Sequence, residues 1–363
     1  MKSLIASLLI LSCVVSPVTA SAWGQAGAPP LVESLRVKPP LDFCGEQIPL
    51  DNREVCERFE KELLLALWDR PQVILWIKRS HRYLPRIERM LKDNGMPDDL
   101  KYLALIESAL RPHIGSPKGA MGFWQFTEAT GIKYGLRIDA DIDERRSVVA
   151  STRAAIRCFR EFHDIFGSWT LAAAAFNMGK EGLRTDMLVQ KTVDYYHLYL
   201  PLETQRYVPR IIAAKLILND PDHYGFHLSK GDLYPPRTVD RVTVECPEKI
   251  PLRIVAEAAG THFKVVKDLN PEIRGYYLIQ GGHTLSIPKG TSKGFHARYD
   301  ELMKQWLAEK DHYVYVVKEG DNLSVIADRF GVPLPALFLW NNLDLGKPIH
   351  PGDRLVIHPP QKP

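Results

Sequence analysis

Two hydrophobic periods divide the chain, and they constrain its architecture more than any other feature. From Glu54 to about Leu218 apolar residues return every three or four positions, opening with Val55, Phe59, Leu63 and Ala66. That is the spacing of helices that bury one face. Gly95-Met96-Pro97, Pro112, Gly115, Pro117, Gly131, Gly167 and Pro201 punctuate the run. Residues 53–225 are therefore expected to form an all-α domain. After about Tyr224 the pattern changes. Val242-Thr243-Val244 and Thr284–Pro288 read as short strands, with helical stretches around Leu252–Ala259 and Phe263–Leu269 between them. The same order then returns, with a strand at Tyr313–Val317, helices at Leu323–Phe330 and Leu334–Asn341, and a strand at Arg354–Ile357. Arg253-Ile254-Val255-Ala256 aligns with Ser324-Val325-Ile326-Ala327, Leu269-Asn270 with Trp340-Asn341, and Gly281-Gly282 with Pro351-Gly352. A repeat of about 45 residues signals an array of small binding units. The expectation is a mainly α protein whose helical domain is followed by two βααβ modules, at 240–290 and 311–359.

The first 22 residues have the form of an export signal. Lys2 supplies the positive start, Leu4 to Val15 is apolar but far shorter than the roughly 20 residues of a membrane span, and Ala20-Ser21-Ala22 offers a cleavage site. A second reading stays open, since Ile10-Leu11-Ser12-Cys13 loosely matches a lipoprotein box and would attach the protein to the outer membrane through Cys13. Either way the protein is expected in the periplasm or on the outer membrane. Residues 23–52, with Pro29-Pro30, Pro39-Pro40 and Pro49, read as a Pro-rich linker or arm. Export permits disulfides, and Cys44 and Cys56 are close enough in sequence to pair, while Cys158 reads as a buried free thiol. Net charge is +4, from 47 basic and 43 acidic residues without a basic cluster, which argues against nucleic acid as a partner. The 12 histidines show no metal-ligand spacing, so neither a metal nor another cofactor is expected.

The chemistry concentrates in four short segments. In Pro97–Ser108, Leu100, Leu103, Glu107 and Leu110 fall on one helical stripe that is apolar except for a single carboxylate. A carboxyl in such a stripe loses water, and desolvation raises its pKa toward the value a general acid needs at neutral pH. Next comes Ser116–Gln125, where glycines allow a tight loop; Trp124 and Gln125 are candidates for stacking on a sugar ring and binding a sugar amide, although taken alone the segment reads as an ordinary loop with a core Trp. The third segment is Ala172–Gly179, a small-residue helix running into Asn177. The fourth is Glu203–Val208, which opens another helix.

In this order and spacing the segments resemble the lytic murein transglycosylases with a goose-lysozyme-like catalytic fold, closest to the membrane-bound lytic transglycosylase D group. The family's Glu-Ser, Gly-x-x-Gln, Ala-Tyr-Asn-x-Gly and Glu-Thr-x-x-Tyr-Val motifs match Glu107-Ser108, Gly122-Phe123-Trp124-Gln125, Ala175-Phe176-Asn177-Met178-Gly179 and Glu203-Thr204-Gln205-Arg206-Tyr207-Val208. One position departs, because Phe176 stands where the family has Tyr. The second module resembles a LysM domain through Tyr313–Leu323, Ile326-Ala327, Trp340-Asn341-Asn342 and Pro351-Gly352-Asp353. The first lacks the Gly-Asp-x-Leu loop and reads as degenerate.

The resemblance implies peptidoglycan glycan strands as substrate and partner, and a chain that acts as a monomer. It implies that Glu107 protonates the oxygen between N-acetylmuramic acid and N-acetylglucosamine. Glu107 then draws a proton from the muramic 6-hydroxyl, which closes a 1,6-anhydro ring. Ser108, Ser116, Gly122, Gln125, Phe176, Asn177 and Tyr207 are the implied substrate-binding residues, and Gly320, Asp321, Asn322, Leu323, Asn341, Asn342 and Leu343 the implied glycan contacts of the LysM module. The acidic run Asp139, Asp141, Asp143 and Glu144 reads as a solvated loop and not as a second catalytic acid. A lysozyme-like hydrolase on the same fold and a non-catalytic wall-binding protein remain as alternatives.

Overall fold

The computed structural model describes residues 31–37, 39–309, 314–341, 343 and 346–358. The export signal and Cys13 lie outside these residues. The helical domain contains α1 (Leu31–Ser34), α2 (Arg53–Trp68), α3 (Arg70–Asp93), α4 (Lys101–Ser108), α5 (Glu128–Lys133), α6 (Val148–Phe166), α7 (Trp169–Met178), α8 (Lys180–Gln190) and α9 (Leu202–Asn219). A small hairpin of β1 (Asp42–Phe43) and β2 (Glu46–Gln47) precedes α2.

Local chemistry sets the helix starts. The side chains of Asn52, Asp69, Thr127, Ser147 and Ser168 accept from backbone N–H groups of the first turns of α2, α3, α5, α6 and α7. Glu46 adds its carboxylate to the N-terminus of α7, accepting from the backbone amides of Trp169 and Thr170. A carboxylate there satisfies orphan amides and meets the positive end of the helix dipole. Helix α7 is sheathed by its neighbours because Ala172, Ala173, Ala174 and Ala175 leave room for close packing, all at 0–1% exposure. Helices α2 and α9 are held together by the buried carboxylate of Glu62, which pairs with both Arg206 and Arg210.

One expectation is corrected, and one pairing left open is resolved. The segment through residue 52 is not a linker over its whole length, because Leu41, Phe43 and Ile48 are buried in the core of the helical domain. Proline-rich composition masked three apolar side chains with no periodicity to reveal them. Cys44 and Cys56 are free thiols. Cys44 takes a positive φ of 54° and donates its backbone N–H to Asp99, while the Cys56 thiol lies 3.7 Å from Glu60. Cys158 is a buried free thiol, 1% exposed, as its place in a helical stripe implied.

The first module runs β3 (Val239–Cys246), β4 (Ile250–Pro251), α10 (Leu252–Ala258), α11 (Phe263–Leu269), β5 (Tyr277–Leu278) and β6 (Gly281–Pro288). Strands β3 and β6 pair antiparallel from Val239 with Pro288 to Cys246 with Gly281. A helix that the sequence reading missed, α12 (Phe295–Glu309), closes this module by burying Phe295 and Tyr299 against it. The second module runs β7 (Val314–Val316), α13 (Leu323–Phe330), α14 (Leu334–Asn341) and β8 (Arg354–Val356), with its own core of Val317, Ile326, Ala327, Val332, Leu337, Leu355 and Ile357.

The repeat is physical as well as sequential. In the first module Asn270 donates to the carbonyls of Val266 and Ser286 (2.8 Å each) and accepts from Ser286 N (2.7 Å). In the second, Asn341 donates to the carbonyls of Leu337 (2.9 Å) and Val356 (2.8 Å) and accepts from Val356 N (2.6 Å). The same asparagine ties the end of the second helix to the closing strand in both modules. Among the described residues, no single helix is long and apolar enough to cross a membrane.

Candidate active site

Helix α4 is short because its C-terminus turns sharply. Ala109 and Leu110 both take left-handed backbone angles, with φ of 51° and 56°. Such angles are costly for residues with a Cβ and persist where the surroundings impose them. Leu100, Leu103 and Leu110 of the stripe are at most 1% exposed, so Glu107 emerges from an apolar bed. Burial pushes its carboxyl up from 4.5 to about 7. The hydrogen bond from Tyr207 and the charge of Arg210 pull the other way, and Glu203 adds a smaller upward push. Tyr207, 2% exposed on α9, donates its hydroxyl to Glu107 Oε1. Burial and the neighbouring carboxyl hold that phenol well above its usual range, so it stays a donor.

One turn before Tyr207 on α9 is Thr204, 1% exposed, whose hydroxyl donates to Asn177 Oδ1 at 2.8 Å. This bond fixes the Asn177 amide at the end of α7 and leaves its nitrogen as the free donor. Sequence reasoning placed Thr204 in a motif but gave it no role. The signal was present, since positions 204 and 207 lie three apart on one helix face.

The segment 114–126 folds into a tight double turn, with bridges between Gly115 and Met121 and between Met121 and Phe126. Ser108, 2% exposed, ties this loop to α4. Its hydroxyl lies 2.9 Å from the carbonyls of both Ala104 and Phe123 and accepts from Leu110 N at 3.1 Å. Gln125 holds the loop from within at φ 49°, donating to the carbonyls of Ile114 (3.1 Å) and Gly122 (2.9 Å), so its amide oxygen is what remains for a ligand. Ser116 Oγ accepts from Ala120 N at 3.1 Å and keeps its own proton to give. Gly122 sits at φ 78°, and a Cβ there would lie 1.9 Å from the Arg145 carbonyl oxygen.

Trp124 does not stack on a sugar. It is fully buried, donates Nε1–H to Thr152 Oγ1 at 3.1 Å and packs on Phe159. Phe176 is stacked on Phe159 (centroids 4.7 Å apart) and meets Phe126 edge-on (5.5 Å), so its ring joins α7 to the end of the loop. The acidic run is not simply solvated either. Asp143 is 1% exposed and pairs with Arg145 at 2.8 and 2.9 Å. The four motifs are thus linked in space through Asn177–Thr204, Tyr207–Glu107 and Ser108–Phe123.

In the second module the positions singled out do mostly structural work. Asp321 accepts from Tyr315 Oη (2.6 Å) and Lys318 N (2.8 Å), and Asn322 caps α13 by accepting from Val325 N (2.9 Å). Gly320 supplies a φ of 84° to the turn. Leu323 and Leu343 are half-buried beside that module's core. Asn342 lies outside the described residues.

Residues 85–198 match the transglycosylase SLT domain, and residues 315–358 match the LysM domain. The membrane-bound lytic murein transglycosylase D of Escherichia coli strain K12 is 32% identical over 293 residues, covering 77% of this chain and 64% of that protein. The chain therefore spans somewhat under two thirds of that relative's length. A putative tributyltin chloride resistance protein of Alteromonas sp. strain M-1 is 36% identical over 110 residues, 30% of this chain and 53% of that protein. Among solved structures, the 70 kDa soluble lytic transglycosylase of Escherichia coli aligns at a TM-score of 0.36 and 17% identity, covering 49% of this chain and 33% of that one.

Proposed function

We propose that this chain, whose residues 85–198 match the transglycosylase SLT domain and whose residues 315–358 match the LysM domain, is a peptidoglycan lytic transglycosylase. It cleaves the bond between N-acetylmuramic acid and N-acetylglucosamine and leaves 1,6-anhydro ends. The observation that carries this reading is Glu107, a carboxyl held near neutrality by burial, hydrogen-bonded by Tyr207, and tied through α9 to the amide of Asn177.

A carboxyl with a pKa of about 7 is protonated often enough at neutral pH to act as an acid, and basic enough once ionised to take a proton back. Glu107 donates its proton to the glycosidic oxygen as the bond to the muramic anomeric carbon breaks. Tyr207 stabilises the carboxylate that results. The substrate's own N-acetyl group stabilises the anomeric carbon, as in substrate-assisted glycosidases, which dispense with a second protein carboxylate. Glu107 then removes the proton of the muramic 6-hydroxyl, whose oxygen attacks the anomeric carbon and closes the anhydro ring. Both steps are intramolecular once the sugar is bound, so positioning supplies much of the advantage. Asn177 Nδ2, Gln125 Oε1 and the Ser116 hydroxyl are the groups left free to position it. Ser108, Gly122 and Phe176 serve the site through its frame: Ser108 ties the loop to α4, Gly122 admits the close backbone approach, and Phe176 packs α7 against the loop. The protein acts in the periplasm or at the outer membrane.

Digestion of purified sacculi tests this function: soluble fragments ending in 1,6-anhydro sugar support it, and intact sacculi or reducing ends alone contradict it. Tyr207→Phe gives a finer expected outcome. The lost hydrogen bond stabilises the ionised form of Glu107, so the carboxyl pKa rises. The alkaline limb of the kcat/KM profile, where Glu107 loses its proton, should move to higher pH. Hydrogen bonds to charged groups are worth about 1.5–3 kcal/mol, which corresponds to about one to two pH units. A pH–rate profile with an unmoved alkaline limb would detach Tyr207 from Glu107.

The LysM module is the wall anchor in this reading. Its core is self-contained. Truncation after residue 309 should weaken binding to sacculi several-fold more than it slows turnover of a soluble glycan. Equal losses in a pelleting assay and a turnover assay would remove the anchoring role.

A further inference from the structure

The first module docks directly on the helical domain. Ile142 leaves the helical domain's loop and is buried, 9% exposed, in the core of that module. Around it the backbones pair: Ile142 bridges Ile273, Asp143 N donates to Glu272 O at 2.8 Å, and Arg274 N donates to Asp141 O at 2.7 Å. Arg274 Nη1 adds a bond to Asp139 O at 2.9 Å. The opposite side of the same loop faces the site. The Arg145 guanidinium, held by Asp143, donates to the carbonyls of Gly119 (3.0 Å) and Phe126 (3.3 Å), and the Arg145 carbonyl occupies the space that any Cβ at Gly122 would need.

The docking segment also has a counterpart in the repeat. Asn270 corresponds to Asn341 by sequence and by its three hydrogen bonds, so residues 271–276 correspond to the loop after Asn341. That is the loop from which glycan contacts are expected in the second module. In the first module it is spent on the helical domain.

We infer that the first βααβ module is not a glycan-binding unit but an internal brace. Through Ile142, Asp143 and Arg145 it positions the loop 114–126 that carries Ser116 and Gln125. Ile142 and Arg274 are positioning residues in this scheme. Their effect on turnover rests on the proposed reaction, but their effect on the loop does not.

The full chain carrying Ile142→Ala, which removes the anchor, is the main test, with Ile142→Val as the conservative variant and Arg274→Ala as an exposed change that leaves the module's core intact. Hydrogen exchange of the backbone amides in 114–126 should quicken about tenfold or more in Ile142→Ala, less in Arg274→Ala, and stay near wild type in Ile142→Val. Turnover of soluble glycan should fall about three- to tenfold in kcat in Ile142→Ala, with KM and sacculus binding within about twofold of wild type. Faster exchange at 141–143 and 272–274 with unchanged exchange at 114–126 would overturn the brace. So would a loss of sacculus binding that keeps step with kcat, because that pattern belongs to a module that holds glycan. If the wild type released no fragments at all, the exchange measurement would still decide for or against the brace while the proposed reaction failed separately.

Discussion

Glu107→Gln is expected to leave less than about 1% of wild-type lysis, since removing a general acid–base typically costs 10²–10⁴-fold. Glutamine keeps the size of the side chain and an oxygen to accept from Tyr207, so the fold and sacculus binding should be retained. The same substitution should stabilise the protein in a pH-dependent way. A carboxyl whose folded pKa of about 7 lies above its reference of 4.5 favours the folded state only while protonated. That contribution is full below 4.5 and is lost as pH rises toward 7. The thermal midpoint of Glu107→Gln should therefore match wild type at low pH and exceed it increasingly between these two values, levelling off above them. Residual lysis well above 1%, or a midpoint difference independent of pH, would count against Glu107 as a desolvated acid.

Gly122→Ala should be nearly as damaging, through the fold of the site and not its chemistry. The new Cβ would meet the Arg145 carbonyl oxygen at 1.9 Å and its carbon at 2.5 Å, both backbone atoms that cannot turn aside. The left-handed backbone adds a further cost of about 1–2 kcal/mol, and forced overpacking typically adds about 1–3 kcal/mol. Gly119→Ala is the matched control, because Gly119 has the same φ of 78° but nothing within 4 Å of an added Cβ. Thermal melts and turnover should show Gly119→Ala paying the backbone cost alone. Gly122→Ala should lose several degrees more, together with most of its activity. Equal effects in the two variants would mean that the Arg145 contact is not what Gly122 serves.

What the sequence disclosed and what it hid follow a physical line. Glu107 was legible because a lone acid in an apolar stripe is visible from spacing. Its partner was not legible from spacing, since Tyr207 lies 100 residues away and only the packing of α4 on α9 brings them together. The modules were legible through a period switch and a repeat, and Asn270 and Asn341 turned out to do the same work. Their use was not legible, because the first module's docking on Ile142 depends on a backbone pairing of two irregular segments that no side-chain pattern encodes. Trp124 stood between two readings, a sugar platform and a core residue, for a related reason. A Trp beside a Gly-rich loop has the composition of a sugar platform, but Thr152 offers its indole nitrogen a buried partner and settles it in the core. The segment at 41–48 hid its buried side chains in a run too short and too rich in proline for either period to show.

The central claim is that the muramic sugar's own hydroxyl, and not water, completes the reaction that Glu107 begins. Digestion of sacculi in water enriched with heavy oxygen, followed by mass spectrometry of the released fragments, tests it directly. The account predicts fragments one water lighter than their hydrolytic counterparts and free of the heavy isotope. Fragments of full hydrolytic mass that carry heavy oxygen at the muramic anomeric carbon would contradict it.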